Sequence, residues 1–255
     1  FRGKPNVTFM EIGIQSGGKI GVMRDYFGPG FQYIGVDINN STRMFDSADW
    51  IHIEIGDSGD RAVLRSLKKK YPRIDIFLDD GGHTMAQQML TLEEMLPHIH
   101  EEGVFLCEDL STSWKDTFHG NHFGGMVHGK ISNPEFLEKT FFGLVHKTMD
   151  WLQGDWISSG GDGGDGGDGP KELPDDAFQE KWWKIILRQV KHIHLYNQFI
   201  VYEKGKTYKP QEVGTSKNRD ESGHHHKPVD WGPILDKLQT YTGSPWSKTP
   251  SSSGS

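Results

Sequence analysis

One cysteine, Cys107, in 255 residues has no partner for an internal disulfide, so the chain is not a disulfide-stapled scaffold. Long apolar runs are also missing. No stretch approaches the roughly 20 apolar residues with which a helix spans a bilayer, which excludes a membrane-spanning reading. Basic charge is scarce as well. Lys and Arg number 28 against 35 Asp and Glu, a net of −7 with His neutral. The one basic run, Lys68-Lys69-Lys70, sits late in a predicted helix, where cations complement the helix dipole. With no basic patch to track a phosphate backbone, nucleic acid is not an expected partner. No secretory signal pattern opens the chain, so the expected location is cytoplasmic. The chain starts at Phe1 rather than Met, and further sequence upstream is expected.

What is present suits one substantial domain, with 34% hydrophobic and 25% charged residues. Val7–Ile14, Tyr33–Ile38, Trp50–Ile55, Ile74–Leu78 and Val104–Cys107 read as short buried strands. Between them, Gly18–Phe27, Asp60–Tyr71 and Thr84–His98 carry helical spacing. Strands alternating with helices predict βαβ units, hence a doubly wound α/β fold whose mostly parallel sheet is covered on both faces. Val190–Tyr196 and Gln198–Glu203 add an antiparallel hairpin turning at Asn197, for seven strands in all.

The second half is looser. Lys115–Gly129, rich in Gly, His and Phe, predicts a loop near a site. Asn133–Trp151 and Asp176–Gln189 predict helices, the first with Pro134 near its start. In 160–169 Gly-Gly-Asp repeats three times and seven of ten residues are glycine, a composition that packs poorly and predicts a flexible insert over 158–170. The expected domain is therefore 1–205, followed by a partly ordered tail over 206–255. His224-His225-His226, within that tail, is too short to count as a metal site.

Chemistry-bearing residues gather at the predicted strand ends. Glu11-Ile12-Gly13 runs through Gln15-Ser16 into Gly17-Gly18 and a helix, a glycine turn that lets a ligand approach the backbone. The spacing is not G-x-G-x-x-G, which disfavours a nicotinamide or flavin. Asp37 ends the second strand, where it can accept hydrogen bonds from ribose hydroxyls, and Asp57-Ser58 follows the third, within reach of an adenine edge. Each alone is an ordinary turn residue or helix cap. As an ordered set, acidic groups at three successive strand ends suit a cationic nucleoside without phosphates, and S-adenosylmethionine is the candidate.

The fourth and fifth strands end in Asp79-Asp80-Gly81-Gly82-His83 and Glu108-Asp109. If these strands are neighbours, Asp80, Glu108 and Asp109 converge, and carboxylates so crowded are protonated in part or hold a cation. Hard oxygen donors match magnesium, a Lewis acid for a substrate hydroxyl. His83 is placed as general base, since imidazole titrates near neutral pH. Read separately, His83 is equally a packing or capping residue, and Glu108-Asp109 a solvated strand end.

The succession Glu11-Ile12-Gly13, Gly35-Val36-Asp37-Ile38, Gly56-Asp57-Ser58-Gly59-Asp60, Asp79-Asp80-Gly81-Gly82-His83, Glu108-Asp109-Leu110-Ser111-Thr112-Ser113-Trp114 and Leu195-Tyr196-Asn197-Gln198-Phe199-Ile200-Val201-Tyr202-Glu203-Lys204-Gly205 resembles the macrolide O-methyltransferases, the mycinamicin-type sugar O-methyltransferases, over residues 7–205. The resemblance implies a Rossmann-like methyltransferase that moves a methyl group from S-adenosylmethionine to a hydroxyl of a small-molecule acceptor, such as a sugar of a natural product. It implies magnesium on Asp80, Glu108 and Asp109, His83 as proton acceptor, and a cofactor pocket of Glu11, Gly13, Asp37, Asp57, Ser58 and Asp79. Homo-oligomers are implied too. The family's usual Gly-Ser before the histidine is Gly81-Gly82 here, and the glycine insert and long tail depart from its pattern, so the acceptor pocket does not carry over. Trp114, Phe118, His119, His122 and Phe123 form either an acceptor lid or a structural aromatic loop. Two other readings share these residues: a relative of the cephalosporin hydroxylases, and a non-catalytic S-adenosylmethionine-binding or assembly protein.

Overall fold

Buried β-branched and aromatic runs bounded by glycine and polar turns become strands, and the amphipathic stretches between them become helices. The computed structural model describes residues 1–120, 126–127, 130–131, 134–153 and 177–207. Five strands, β1 (Thr8–Ile12), β2 (Gln32–Asp37), β3 (Ile51–Ile55), β4 (Ile76–Asp79) and β5 (Val104–Cys107), lie parallel. Two very short strands, β6 (Met126–Val127) and β7 (Lys130–Ile131), pair with each other. β8 (Val190–Leu195) and β9 (Ile200–Lys204) form the hairpin, with β9 antiparallel to β5. The main sheet runs β3-β2-β1-β4-β5-β9-β8. The doubly wound, mostly parallel seven-stranded sheet with a C-terminal antiparallel hairpin is thus observed. β1 sits between β2 and β4, where strand order reverses, and such switch points open a crevice at the carboxyl ends of the strands.

Helices α1 (Gly18–Phe27), α2 (Arg61–Lys70), α3 (Met85–Met95), α4 (Pro134–Lys139), α5 (Phe141–Leu152) and α6 (Ala177–Gln189) flank the sheet. The larger core cluster joins Met10, Phe77, Phe105 and Tyr202 to side chains of α2, α3, α5 and α6. Phe77 and Phe105 stack at 5.2 Å on adjacent strands, and each such buried ring contributes about 1.5–3 kcal/mol by leaving water. The smaller cluster, around Phe9, Phe31 and Tyr33, takes Ile20 of α1 on the other face. Cover is therefore uneven, with four helices contributing to one cluster and α1 to the other. Cys107 is buried and free.

Three expectations change in detail. The single helix read over Asn133–Trp151 is two, because Thr140 interrupts it. Its hydroxyl donates to Phe136 O at 2.6 Å and accepts from the Gly143 amide, capping α5. The hairpin does not turn at Asn197 alone. Residues 196–199 make the connection, closed by Tyr196 N–H donating to Phe199 O at 2.9 Å, and the Tyr196 and Phe199 rings stack at 4.5 Å. The stretch read as loop from Lys115 opens with a 3-10 turn at Asp116–Phe118. The insert at 158–170, His122, Phe123, His224-His225-His226 and the tail from 208 lie outside the described residues. Among the described residues no helix is long and apolar enough to cross a membrane.

Charge ties α2 to α3. Glu94, 7% exposed, accepts from Lys68 and Arg61. Burial opposes its ionisation, but the hydrogen bonds from Lys68 and Arg61 outweigh it and lower its pKa to about 2. A depressed folded pKa contributes stability above the unfolded value of 4.5, lost as pH falls toward 2. Glu94→Gln is expected to cost about 1–2 kcal/mol at pH 7, after discount for the half-exposed Arg61, and to flatten the loss of stability between pH 4.5 and 2. Urea unfolding of both proteins across that range measures it.

Candidate active site

At the carboxyl ends of β1, β2 and β4 the sheet opens into a cleft of about 550 Å³. Glu11, Gly13, Asp37, Asp57, Ser58, Asp80, His83 and Asp109 all line it. Asp37 accepts the amides of Gln15 at 3.0 Å and Asn39 at 2.8 Å, which fixes the turns after β1 and β2. Asp57 accepts the Gly59 amide at 2.7 Å and Gln87 Nε2 at 3.1 Å. Gln87 also completes the capping box that starts α3 at Thr84. Gly13 has φ +89°, and a β-carbon there would come within 1.9 Å of the Asp80 carbonyl oxygen. The glycine is thus required by the close passage of the chain after β4, with Asp80 N–H donating to Ile12 O at 3.0 Å. This is a tighter reason than ligand access.

Asp79 is the one expected cofactor-pocket residue that does not line the cleft. Successive residues of a strand point to opposite faces, and Asp79 turns under the sheet end, 1% exposed. Its carboxyl accepts from Thr91 Oγ1 and from the Gly81 amide at 3.3 Å. Burial raises its pKa. Its place is to brace the Asp80–His83 turn from below.

β4 and β5 pair as neighbours with Asp79 opposite Cys107, so Asp80 and Glu108 emerge side by side. His83 Nε2 lies 3.1 Å from Asp109 Oδ2 and 3.9 Å from Asp80 Oδ1. The donor atoms of Asp80, His83 and Asp109 all fall within 4.8 Å of one another. Glu108 stands outside that trio and approaches Lys19, with Oε1 3.6 Å from Nζ. His83 Nδ1 is buried without a hydrogen-bond partner among the described residues. His83 and Asp109 have φ +58° and +57°, the left-handed region. Side chains other than glycine hold it at a cost, and such strain clusters where a loop must aim a functional group.

Lys19 escapes the sequence reading. Its ammonium contacts Glu11 Oε1 at 3.2 Å, Asp80 Oδ2 and Glu108 Oε1. Burial works against its charge, but the hydrogen bond to Asp80 and the negative charge of Glu11, Asp80 and Glu108 prevail, and its pKa is raised. Glu11 is buried and also accepts from the Tyr33 hydroxyl; desolvation outweighs these partners and raises its pKa. A signal for Lys19 did exist: a lysine in the first turn of α1 opposes the helix dipole, so its position asks for carboxylates nearby.

The aromatic loop divides. Trp114 packs against Phe136 at 5.0 Å and Phe142 at 4.8 Å, a structural cluster. Phe118 instead stands edge-on to His83 at 6.3 Å and forms a wall beside it. Gln198 of the hairpin turn accepts the Leu110 amide on its carbonyl at 3.0 Å and the Ser111 amide on its side chain at 3.4 Å. The segment that follows Glu108 and Asp109 is thereby fastened to the sheet edge.

No protein-family model matches the chain. It is 27% identical over 206 residues to demethylmacrocin O-methyltransferase of Streptomyces fradiae, covering 78% of this chain and 44% of that protein. It is 33% identical over 147 residues to 8-demethyl-8-alpha-L-rhamnosyl tetracenomycin-C 2'-O-methyltransferase of Streptomyces olivaceus, covering 55% and 37%. Among solved structures it is similar to the MycE methyltransferase of the mycinamycin biosynthetic pathway, solved with Mg and SAH. That match has a TM-score of 0.63 at 21% identity and covers 93% of this chain and 51% of MycE. The resemblance to macrolide and sugar O-methyltransferases is borne out, and the fold is that of a Rossmann-like methyltransferase. The chain spans less than half the length of these two curated relatives.

Proposed function

We propose that the chain is a magnesium-dependent O-methyltransferase that moves a methyl group from S-adenosylmethionine to a hydroxyl of a small glycosylated molecule. The observation that carries this is the meeting of Asp80, His83 and Asp109 at the ends of β4 and β5, with Glu108 held close by through Lys19, beside a cleft whose turns bear Glu11, Asp37 and Asp57. The curated relatives are named for methyl transfer to oxygen, and MycE was solved with Mg and SAH.

The donor set fits magnesium in kind, with the hard carboxylates of Asp80 and Asp109 in one cluster and that of Glu108 held close by on a fixed cation, Lys19, that also draws Asp80. Asp80, Glu108 and Asp109 would hold the ion, which as a Lewis acid lowers the pKa of a bound hydroxyl. Asp37 and Asp57, each anchored by backbone amides, are set to accept hydrogen bonds from the cofactor's hydroxyl and amino groups. His83 Nε2 faces the carboxylates. With S-adenosylmethionine bound it would take the hydroxyl proton as the acceptor oxygen bonds to the methyl carbon and the methyl–sulfur bond breaks, the electron pair leaving on the sulfur of S-adenosylhomocysteine. Asp109, 3.1 Å away, stabilises the imidazolium that results. Phe118 walls the same point against water.

The test is transfer of labelled methyl from S-adenosylmethionine to a demethylated glycosylated macrolide with MgCl2, alongside calorimetric binding of S-adenosylhomocysteine. Product that vanishes with chelator supports the reading. Binding without transfer to any hydroxylated acceptor favours the non-catalytic reading, and failure to bind S-adenosylhomocysteine overturns the cofactor site itself.

A further inference from the structure

Apart from the residues that line the cleft, the exposed edge hairpin carries a second cluster of metal-ligating side chains. His192 and His194 are alternate residues of β8 and so project from the same face. Glu203 of β9 pairs directly with His192 in the ladder and shares that face. His192 Nδ1 lies 3.2 Å and His194 Nε2 3.4 Å from one oxygen, Glu203 Oε2. The three donor atoms fall within 4.8 Å of one another, and the imidazole rings stand edge to face at 5.8 Å. A tetrahedral zinc ion with bonds of about 2.0–2.1 Å has ligand atoms roughly 3.3–3.4 Å apart. The two histidine–glutamate edges, 3.2 and 3.4 Å, lie close to that length.

We propose that His192, His194 and Glu203 form a site for a borderline divalent cation, zinc foremost, that pins edge strand β8 to β9. Two imidazoles and a carboxylate satisfy three positions of a tetrahedron and leave the fourth to water. Two of its three donors are imidazoles, whereas carboxylates predominate in the cleft cluster of Asp80, His83 and Asp109. Imidazole is a poor ligand for magnesium, so magnesium does not compete here. Little has to be rearranged on binding, because a strand ladder rather than a loop holds the residues.

Equilibrium dialysis of the full chain against ZnCl2 with excess MgCl2, followed by elemental analysis, tests the site by difference. The unsubstituted protein is expected to hold one more zinc equivalent than the His192→Gln/His194→Gln variant, whatever other groups bind zinc in both. Glu203→Gln, which keeps the size and a hydrogen-bonding side chain, is expected to weaken that equivalent at least tenfold. Zinc should also raise the Tm of the unsubstituted protein more than that of the double variant, and a chelator should reverse the difference. Equal zinc content in both proteins, or a zinc-dependent rise in Tm that survives the double substitution unchanged, overturns the proposal. The substituted side chains are exposed or half-exposed, so both variants are expected to fold.

Discussion

Replacing His83 with asparagine is expected to lower methyl transfer by about two to four orders of magnitude, the usual contribution of a positioned general base. Binding of S-adenosylhomocysteine should change by less than about threefold. Asparagine is the informative substitution. The backbone of His83 is left-handed, with φ +58°, and asparagine tolerates that region while alanine does not. Alanine lacks the polar side chain that makes Asn and His the commoner non-glycine occupants of that region, so part of any rate loss in His83→Ala would reflect a shifted turn. If His83→Asn turns over at the unsubstituted rate, the imidazole is a packing residue and another group takes the proton.

Asp80→Asn is expected to remove the dependence on magnesium and to cost about 3–4 kcal/mol of transition-state stabilisation, two to three orders of magnitude in rate. Asp80 is shared between two neighbourhoods, bonding Lys19 through one oxygen and facing His83 with the other. The amide keeps the size but surrenders the charge that Lys19 and a divalent ion both seek. Stability should change little, because the side chain is partly open to solvent. Initial rates titrated with MgCl2 decide it, and an unaltered magnesium requirement would place the ion on other residues.

Much of this site was legible in order along the chain. The glycine turns after β1 and β3 and the Asn39-Asn40 turn after β2 announce strand ends, and carboxylates at strand ends of a parallel sheet face a shared crevice, so Glu11, Asp37 and Asp57 are legible from their neighbours alone. What sequence could not settle was which of two adjacent carboxylates faces the cleft. Asp79 and Asp80 are chemically alike, and only the pleat of β4 against α3 sends Asp79 to Thr91 and Asp80 to the cleft. Lys19 does not read as part of a cation site, because it is itself a cation, and its role shows only where it meets Glu11, Asp80 and Glu108. The break at Thr140 was missed because apolar spacing continues from α4 into α5 and hides the side-chain bond that separates them.

The fastening of Leu110 and Ser111 to Gln198 couples two parts of the molecule with unequal durability. Edge strands fray at a lower free energy than central ones, and β8 is the outermost strand of the sheet. Each time the hairpin tip peels away, the Leu110 amide loses its acceptor and the residues just before it, Glu108 and Asp109, lose their tether. How firmly Glu108 and Asp109 are held is thereby tied to how seldom this rim unzips, and an ion bound on the rim would steady them.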